Sequence, residues 1–171
     1  SGYGYSEAQD HIYAVKFTAP ENGYLNKIDI GLSQSQCNLD IYIYRSMTGG
    51  YFTDNPLNKL FEASYDNMSS GWNVIDLAEA GGSLPFYSGE TFYIVVVNKN
   101  ITFGWTVDLD FNTSSEDNYS YYQTSNSDFN HSTFGNFCIR SRFENDETLG
   151  GLPAIPLKIT INDAYPNPFN P

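Results

Sequence analysis

Along most of this chain apolar and polar residues change places at every step. Ile28, Ile30 and Leu32 fall at alternate positions, with Asp29 and Gly31 between them. That is the period of a half-buried β-strand, whose successive side chains point to opposite faces, and helical spacing does not fit it. A cleaner run follows: Cys37, Leu39, Ile41 and Ile43 share one face, while Asn38, Asp40, Tyr42 and Tyr44 share the other. The first face predicts a core and the second a wet, aromatic surface. Further runs rich in β-branched and aromatic residues occupy 12–18, 60–65, 72–77, 91–98, 101–107, 119–123 and 137–143. Turn compositions separate them: PENG at 20–23, MTGG at 47–50, NMSSG at 67–71, GGS at 81–83, YSG at 87–89 and NKN at 98–100. The one helical scrap, residues 77–80, is too short to nucleate alone.

About nine short strands with such punctuation predict an all-β fold, an antiparallel β-sandwich of jelly-roll-like form, because a parallel sheet needs crossover helices that the pattern lacks. Residues 91–98 are apolar on both faces, which places that strand centrally. Residues 108–128 are almost entirely Asp, Glu, Asn, Ser, Thr, Gln or Tyr, with Leu109 the only aliphatic. They read as a long exposed loop around one short strand, and such loops on a rigid scaffold are where binding sites tend to lie. Composition breaks at ENDETLGGLP (144–153), a linker signal. The expected division is a sandwich over 1–143, a linker over 144–156 and a separate C-terminal segment over 157–171. In that segment Leu157, Ile159 and Ile161 alternate once more before three prolines in the last six residues exclude helix or central strand.

The length of 171 residues corresponds to one domain, and the charged fraction of 16% is below the roughly 25% of an ordinary soluble domain, with 14 Tyr and 12 Phe supplying large apolar groups. Twenty acids against eight bases give a net charge of -12 with no basic block. Such a chain repels phosphate backbones and anionic membrane surfaces, so neither nucleic acid nor membrane insertion is an expected partner. The longest apolar run, residues 94–97, is far too short to span a bilayer. Residues 1–5 carry no basic or hydrophobic stretch, so any export signal is expected to lie outside this chain.

Two stretches carry family resemblances. The tail YPNPFNP (165–171) resembles the opening motif of the C-terminal sorting domains that direct proteins through the type IX secretion system, in which further strands follow the motif. The resemblance implies a secreted or cell-surface protein and an incomplete sorting segment. The body resembles the lectin-like domain found beside papain-type cysteine peptidases of bacteria and archaea. It does so through YAVKFTAPENGYL (13–25), LDIYIY (39–44), GWNVIDL (71–77), SGETFYIVVV (88–97) and GNFCIR (135–140), in the expected order. That resemblance implies an extracellular, non-catalytic accessory module, often attached to a peptidase domain in the same chain.

The residues themselves offer little catalysis. Only His11 and His131 could act as a near-neutral base, and each stands in a polar context that reads as solvated surface. No Gly-x-Ser-x-Gly elbow, His-Glu-x-x-His, Cys-x-x-Cys or phosphate-binding glycine loop occurs. No enzyme activity is therefore expected of this segment, although it could belong to a larger secreted peptidase. Cys37 and Cys138 leave two readings open. A disulfide would close a loop of about a hundred residues and contribute about 4 kcal/mol, yet regular alternation sets the two on opposite sides of their sheets, which suits two separate thiols.

Asp108, Asp110 and Asn112 imitate the first half of a calcium loop, with Glu116 and Asp117 after them. Thr113 and Tyr119 stand where an EF-hand needs Gly and a bidentate Glu, so an EF-hand is excluded. A different Ca²⁺ site and a plainly acidic, solvated loop are the remaining readings, and no other cofactor is expected. Sugar-binding proteins hold the apolar face of a pyranose against an aromatic ring and read its hydroxyls with Asp, Asn or Gln. Two groupings offer this: Tyr42 and Tyr44 beside Asn38 and Asp40, and Tyr119, Tyr121 and Tyr122 beside Asp117, Asn118 and Gln123. Trp105 and Trp72 are further candidates, although a core or edge-covering indole is the plainer reading for both. The expected function is a binding module for an extracellular glycan or glycoprotein that positions an attached catalytic unit. The alternative is a structural module that packs against a neighbouring peptidase.

Overall fold

The computed structural model describes residues 4–103, 107, 109–110, 120–124, 129–132 and 136–146. Its elements are β1 (Gly4–Thr18), β2 (Gly23–Leu32), β3 (Cys37–Tyr44), β4 (Lys59–Met68), β5 (Gly71–Asp76), α1 (Leu77–Ala80), β6 (Leu84–Phe86), β7 (Thr91–Phe103), β8 (Leu109–Asp110), β9 (Ser120–Thr124), β10 (Asn130–His131), β11 (Asn136–Phe137) and β12 (Ile139–Asn145). A six-stranded sheet runs β10-β9-β1-β7-β3-β4, a four-stranded one is built from β12-β2-β5 with β6 also on β2, and β11 pairs β8. Every described pairing is antiparallel. The protein is thus an all-β, antiparallel sandwich, as the alternation requires. Among the described residues no helix is long and apolar enough to cross a membrane.

The core lies between the two larger sheets. Tyr13, Val15, Ile41, Ile43, Ile94 and Val96 from the six-stranded sheet meet Ile28, Ile30, Leu32, Ile75 and Ile139 from the four-stranded one. Each fully buried aliphatic of this kind contributes about 1.5–3 kcal/mol of transfer free energy. The Cys37, Leu39, Ile41, Ile43 face of β3 turns inward as the pattern predicts, and β7 lies between β1 and β3, the central place expected of a strand apolar on both faces.

Three local expectations are corrected. The turn composition at 98–100 lies inside β7, which continues to Phe103. Asn98 pairs with His11 on one side and Leu39 on the other, so neighbours on both flanks hold it extended, and β1 absorbs the mismatch as register shifts around Gln9. Residues 137–143 do not form one strand. Phe137 pairs Leu109 while Ile139 pairs Ile30, and the chain changes partners at Cys138, whose carbonyl accepts from Gly31 N at 2.7 Å. His11 is not a surface group. It lies within β1 in the inner-face register of Tyr13, fully buried, with Nδ1 3.4 Å from the Tyr13 hydroxyl. Burial pushes its pKa down, partly opposed by the charge of Asp10.

No disulfide links the cysteines. Cys37 is buried with Sγ donating to the Gln34 carbonyl at 3.3 Å, and Cys138 is half-buried. Burial raises the Cys37 thiol pKa. The short helix forms where expected. Asp76 caps it, accepting from Ala78 N at 3.0 Å, and also pairs with Lys27 at 3.0 Å. The last strand runs to Asn145, two residues into the stretch read as linker, and residues 147–171, which include the rest of that linker and the whole C-terminal segment, lie outside the described residues.

Candidate ligand-binding groove

Alternation on the six-stranded sheet produces an outer face as well as an inner one. Its register places Tyr121, Ala14, Val95, Tyr42 and Glu62 in one row across β9, β1, β7, β3 and β4. The next row reads Gln123, Ile12, Val97, Asp40 and Ser64. Small and aliphatic residues therefore make a floor over β1 and β7, while aromatic and polar residues rise on β3 and β9. Asp40 and Tyr42 of the first grouping legible in the sequence, and Tyr121 and Gln123 of the second, lie on opposite flanks of this face.

The β3 flank is drier than its alternation suggests. Tyr44 is 7% exposed, because Phe52 folds back from the β3–β4 connection and stacks on it at 4.8 Å. Phe52 also meets Tyr93 edge-on at 5.3 Å and Phe129 at 5.2 Å, which closes one end of the groove. Burial, with the nearby charge of Asp54, pushes the Tyr44 pKa up to about 12. Tyr42 remains half-buried and stacks on Tyr44 at 6.0 Å. What remains open is a slot of about 210 Å³ whose walls include Tyr42, Tyr51, Phe52, Gln123 and Phe129.

Asp40 stands at the other end and is buried rather than wet. Its Oδ1 accepts from Ser64 Oγ at 2.7 Å; its Oδ2 faces the Tyr42 hydroxyl at 3.4 Å and is ion-paired with Lys99. Burial pushes the Asp40 pKa up, but the bonds from Lys99 and Ser64, the Lys99 charge and the Tyr42 hydroxyl together outweigh it and hold the carboxyl below its usual range. Tyr42 is raised, by burial first and then by the charges of Asp40 and Glu62. Beyond Asp40 a polar hollow of about 590 Å³ opens at the beginning of β3, lined in part by Asn38, Ser64, Asp66 and Lys99.

Of the residues singled out from sequence, Asp40, Tyr42, Tyr44 and Tyr121 share this outer face: Tyr42 and Tyr44 line the slot, with Tyr44 as support rather than surface, Asp40 lines the hollow, and Tyr121 packs 6.1 Å from Tyr93. Tyr122 pairs Tyr13 and Asn130, one register step from Tyr121, and its side chain is outside the described ones. Trp105, Tyr119, Asp108 and Asn112 lie outside the described residues, and Asp110 is described only as the β8 partner of Asn136. His131 pairs Tyr121 within β10. Among the described residues no three His, Cys, Asp or Glu side chains are gathered for a metal ion. Phe52, Phe129, Tyr51 and Lys99 were not singled out. The adjacent pair Tyr51-Phe52 directly after a Gly-Gly turn was the available signal for the first.

Trp72 is neither core nor cover. It stands on the outer face of β5, 50% exposed beside Val74 at 53%, with the Arg140 guanidinium 4.2 Å from its ring centroid.

The fold and groove define an antiparallel β-sandwich with an aromatic cleft on one sheet. No protein-family model matches the sequence, and no curated protein does. Among solved structures, the chain is similar to one described as the cysteine protease and lectin-like domains of Cwp84, a surface layer associated protein of Clostridium difficile. The TM-score is 0.54 at 18% identity over 82% of this chain and 33% of that one. At that identity the likeness establishes a shared fold, and the chain spans about a third of the length of that structure.

Proposed function

We propose that this segment is a non-catalytic accessory module of a secreted or cell-surface protein, and that its outer groove binds an extracellular glycan or glycoprotein. The observation that carries the reading is the arrangement of Tyr42 and Tyr121 on either flank of an aliphatic floor, with Asp40 and Gln123 in the adjoining row. An aromatic wall takes the C–H face of a sugar ring, and a fixed carboxylate and amide take its hydroxyls. The shared fold with a structure that holds cysteine protease and lectin-like domains supports the same reading, and with it a peptidase domain as neighbour in the full protein. The tail motif at 165–171 supports export through a sorting segment beginning at 157, tethered by a linker that starts after β12 ends at Asn145. A tethered module raises the effective concentration of its catalytic unit at the bound surface. A glycan array probed with the intact chain tests this: saturable binding lost in both Tyr42→Ala and Tyr121→Ala supports it, and an array without hits overturns it.

A second reading, a structural module packed against a neighbouring domain, is favoured by the half-exposed Trp72 and Val74 on the other sheet. It expects Trp72 fluorescence to shift to the blue in the full-length protein relative to this segment.

A further inference from the structure

The aromatic slot and the polar hollow are neighbours on one sheet, with no wall residue in common, and meet where Tyr42 contacts Asp40. Val95 and Val97 floor the slot, and Lys99, two residues further along β7, lines the hollow. Asp40 lines the hollow and faces the hydroxyl of Tyr42, which lines the slot. Alone, the slot is smaller than the roughly 300–1,000 Å³ usual for a small-ligand site. The hollow, at about 590 Å³, lies within that range by itself. We propose that the hollow is a second subsite, in which Ser64, Lys99 and Asn38 read the hydroxyl groups of a neutral oligosaccharide whose terminal ring occupies the slot. The proposal deepens the glycan-binding reading and rests on it.

Chemistry sets the ligand class. A sugar hydroxyl both donates and accepts, so it is best read by a mixed set. Asp40 has acceptor capacity beyond the bonds it makes, since an ionised carboxylate offers about four lone-pair sites. Lys99 is half exposed with three donors, one of them used on Asp40. Asn38 accepts from Asn67 N at 3.0 Å through Oδ1, which leaves its NH₂ as a donor. Cations here are already neutralised: Lys99 by Asp40, and Lys59 by Asp54 at 2.6 Å and Glu62 at 2.5 Å. Asp66 adds further negative charge to the hollow, and the chain as a whole carries -12. A uronate, sialate or sulfated sugar would meet repulsion, whereas an uncharged sugar would not.

The test is calorimetric titration of the intact chain with glucose, mannose, galactose and N-acetylglucosamine, their di- and trisaccharides, and disaccharides carrying one uronic acid. The expected result is neutral disaccharides binding about tenfold tighter than their parent monosaccharides, and uronic-acid disaccharides about tenfold weaker than their neutral counterparts. Ser64→Ala and Lys99→Met should each weaken disaccharide binding about two- to tenfold more than monosaccharide binding, the value of one hydrogen bond, because the terminal ring feels them only through Asp40. Tyr42→Ala should abolish both. Equal affinity for mono- and disaccharides, or disaccharide binding indifferent to both Ser64→Ala and Lys99→Met, overturns the second subsite and leaves the groove reading intact. Tighter binding of the uronic-acid forms overturns the neutral class. An unmodified protein that binds no sugar overturns the groove reading, and this proposal with it.

Discussion

Arg142 Nε donates to Asp29 Oδ2 at 2.7 Å across the β2–β12 ladder, and Asp29 is only 6% exposed although it points away from the core. The long arginine side chain lies over the carboxylate and shields it from water, so a position that alternation marks as polar and exposed becomes a covered ion pair.

Removing one partner of such a pair strands the other. Arg142→Met should cost about 1–3 kcal/mol, less than for a fully buried pair because Arg142 itself is largely solvated. Asp29→Asn added to Arg142→Met should recover part of the loss. Urea denaturation of the three proteins checks this, and additive losses would refute the coupling.

His11 makes stability depend on pH near neutrality. Burial lowers its folded pKa below the unfolded value of about 6.5, so the unfolded chain binds the proton more readily. Stability is therefore full above about pH 6.5 and is lost as the pH falls from there toward the lower folded value. His11→Gln should flatten the plot of denaturation midpoint against pH between 7 and 5.

Asp40 contributes the acid limb. Its folded pKa is depressed, so its stabilisation is complete above the unfolded value of about 3.9 and is lost as the pH falls through the folded one. Asp40→Asn should lose stability at pH 6 and show a smaller further loss than the unmodified protein between pH 4 and 2.5.

Gly23 is a close-approach position. A Cβ there would stand 2.3 Å from the Glu144 carbonyl oxygen, a backbone atom of β12 that cannot swing aside. Gly23→Ala should cost about 1–3 kcal/mol through strand displacement. In Gly49→Ala the added methyl meets open space and only the φ of +60° is unfavourable, so a cost of about 1 kcal/mol is expected. Equal midpoints for the two variants would show that the β2–β12 contact yields freely.

The strands were readable because alternation is a local property: β3 announces both of its faces in eight residues. The misreadings share a different origin. His11 sits among Gln9, Asp10 and Ile12, a polar neighbourhood, but pairing with Asn98 and Thr124 carries it to the inner face. Residues 98–100 have turn chemistry, but ladders on both flanks of Asn98 hold it straight. Half of the candidate site could be named in advance, Tyr42 and Tyr121 from their polar company. Phe52 and Phe129 could not, since their contact joins two segments far apart in the sequence.

Residue order by itself determined the all-β class, the inward face of β3, the central place of β7 and the poverty of proton-transfer groups, because each follows from the chemistry of neighbours along the chain. Tertiary structure alone decided which outward positions are wet. Asp29 and Tyr44 carry the same outward phase as Trp72, yet the first lies beneath Arg142, the second beneath Phe52, and the third stands half in solvent. Burial of an outer face depends on which distant segment crosses it, and strand periodicity holds no information about that.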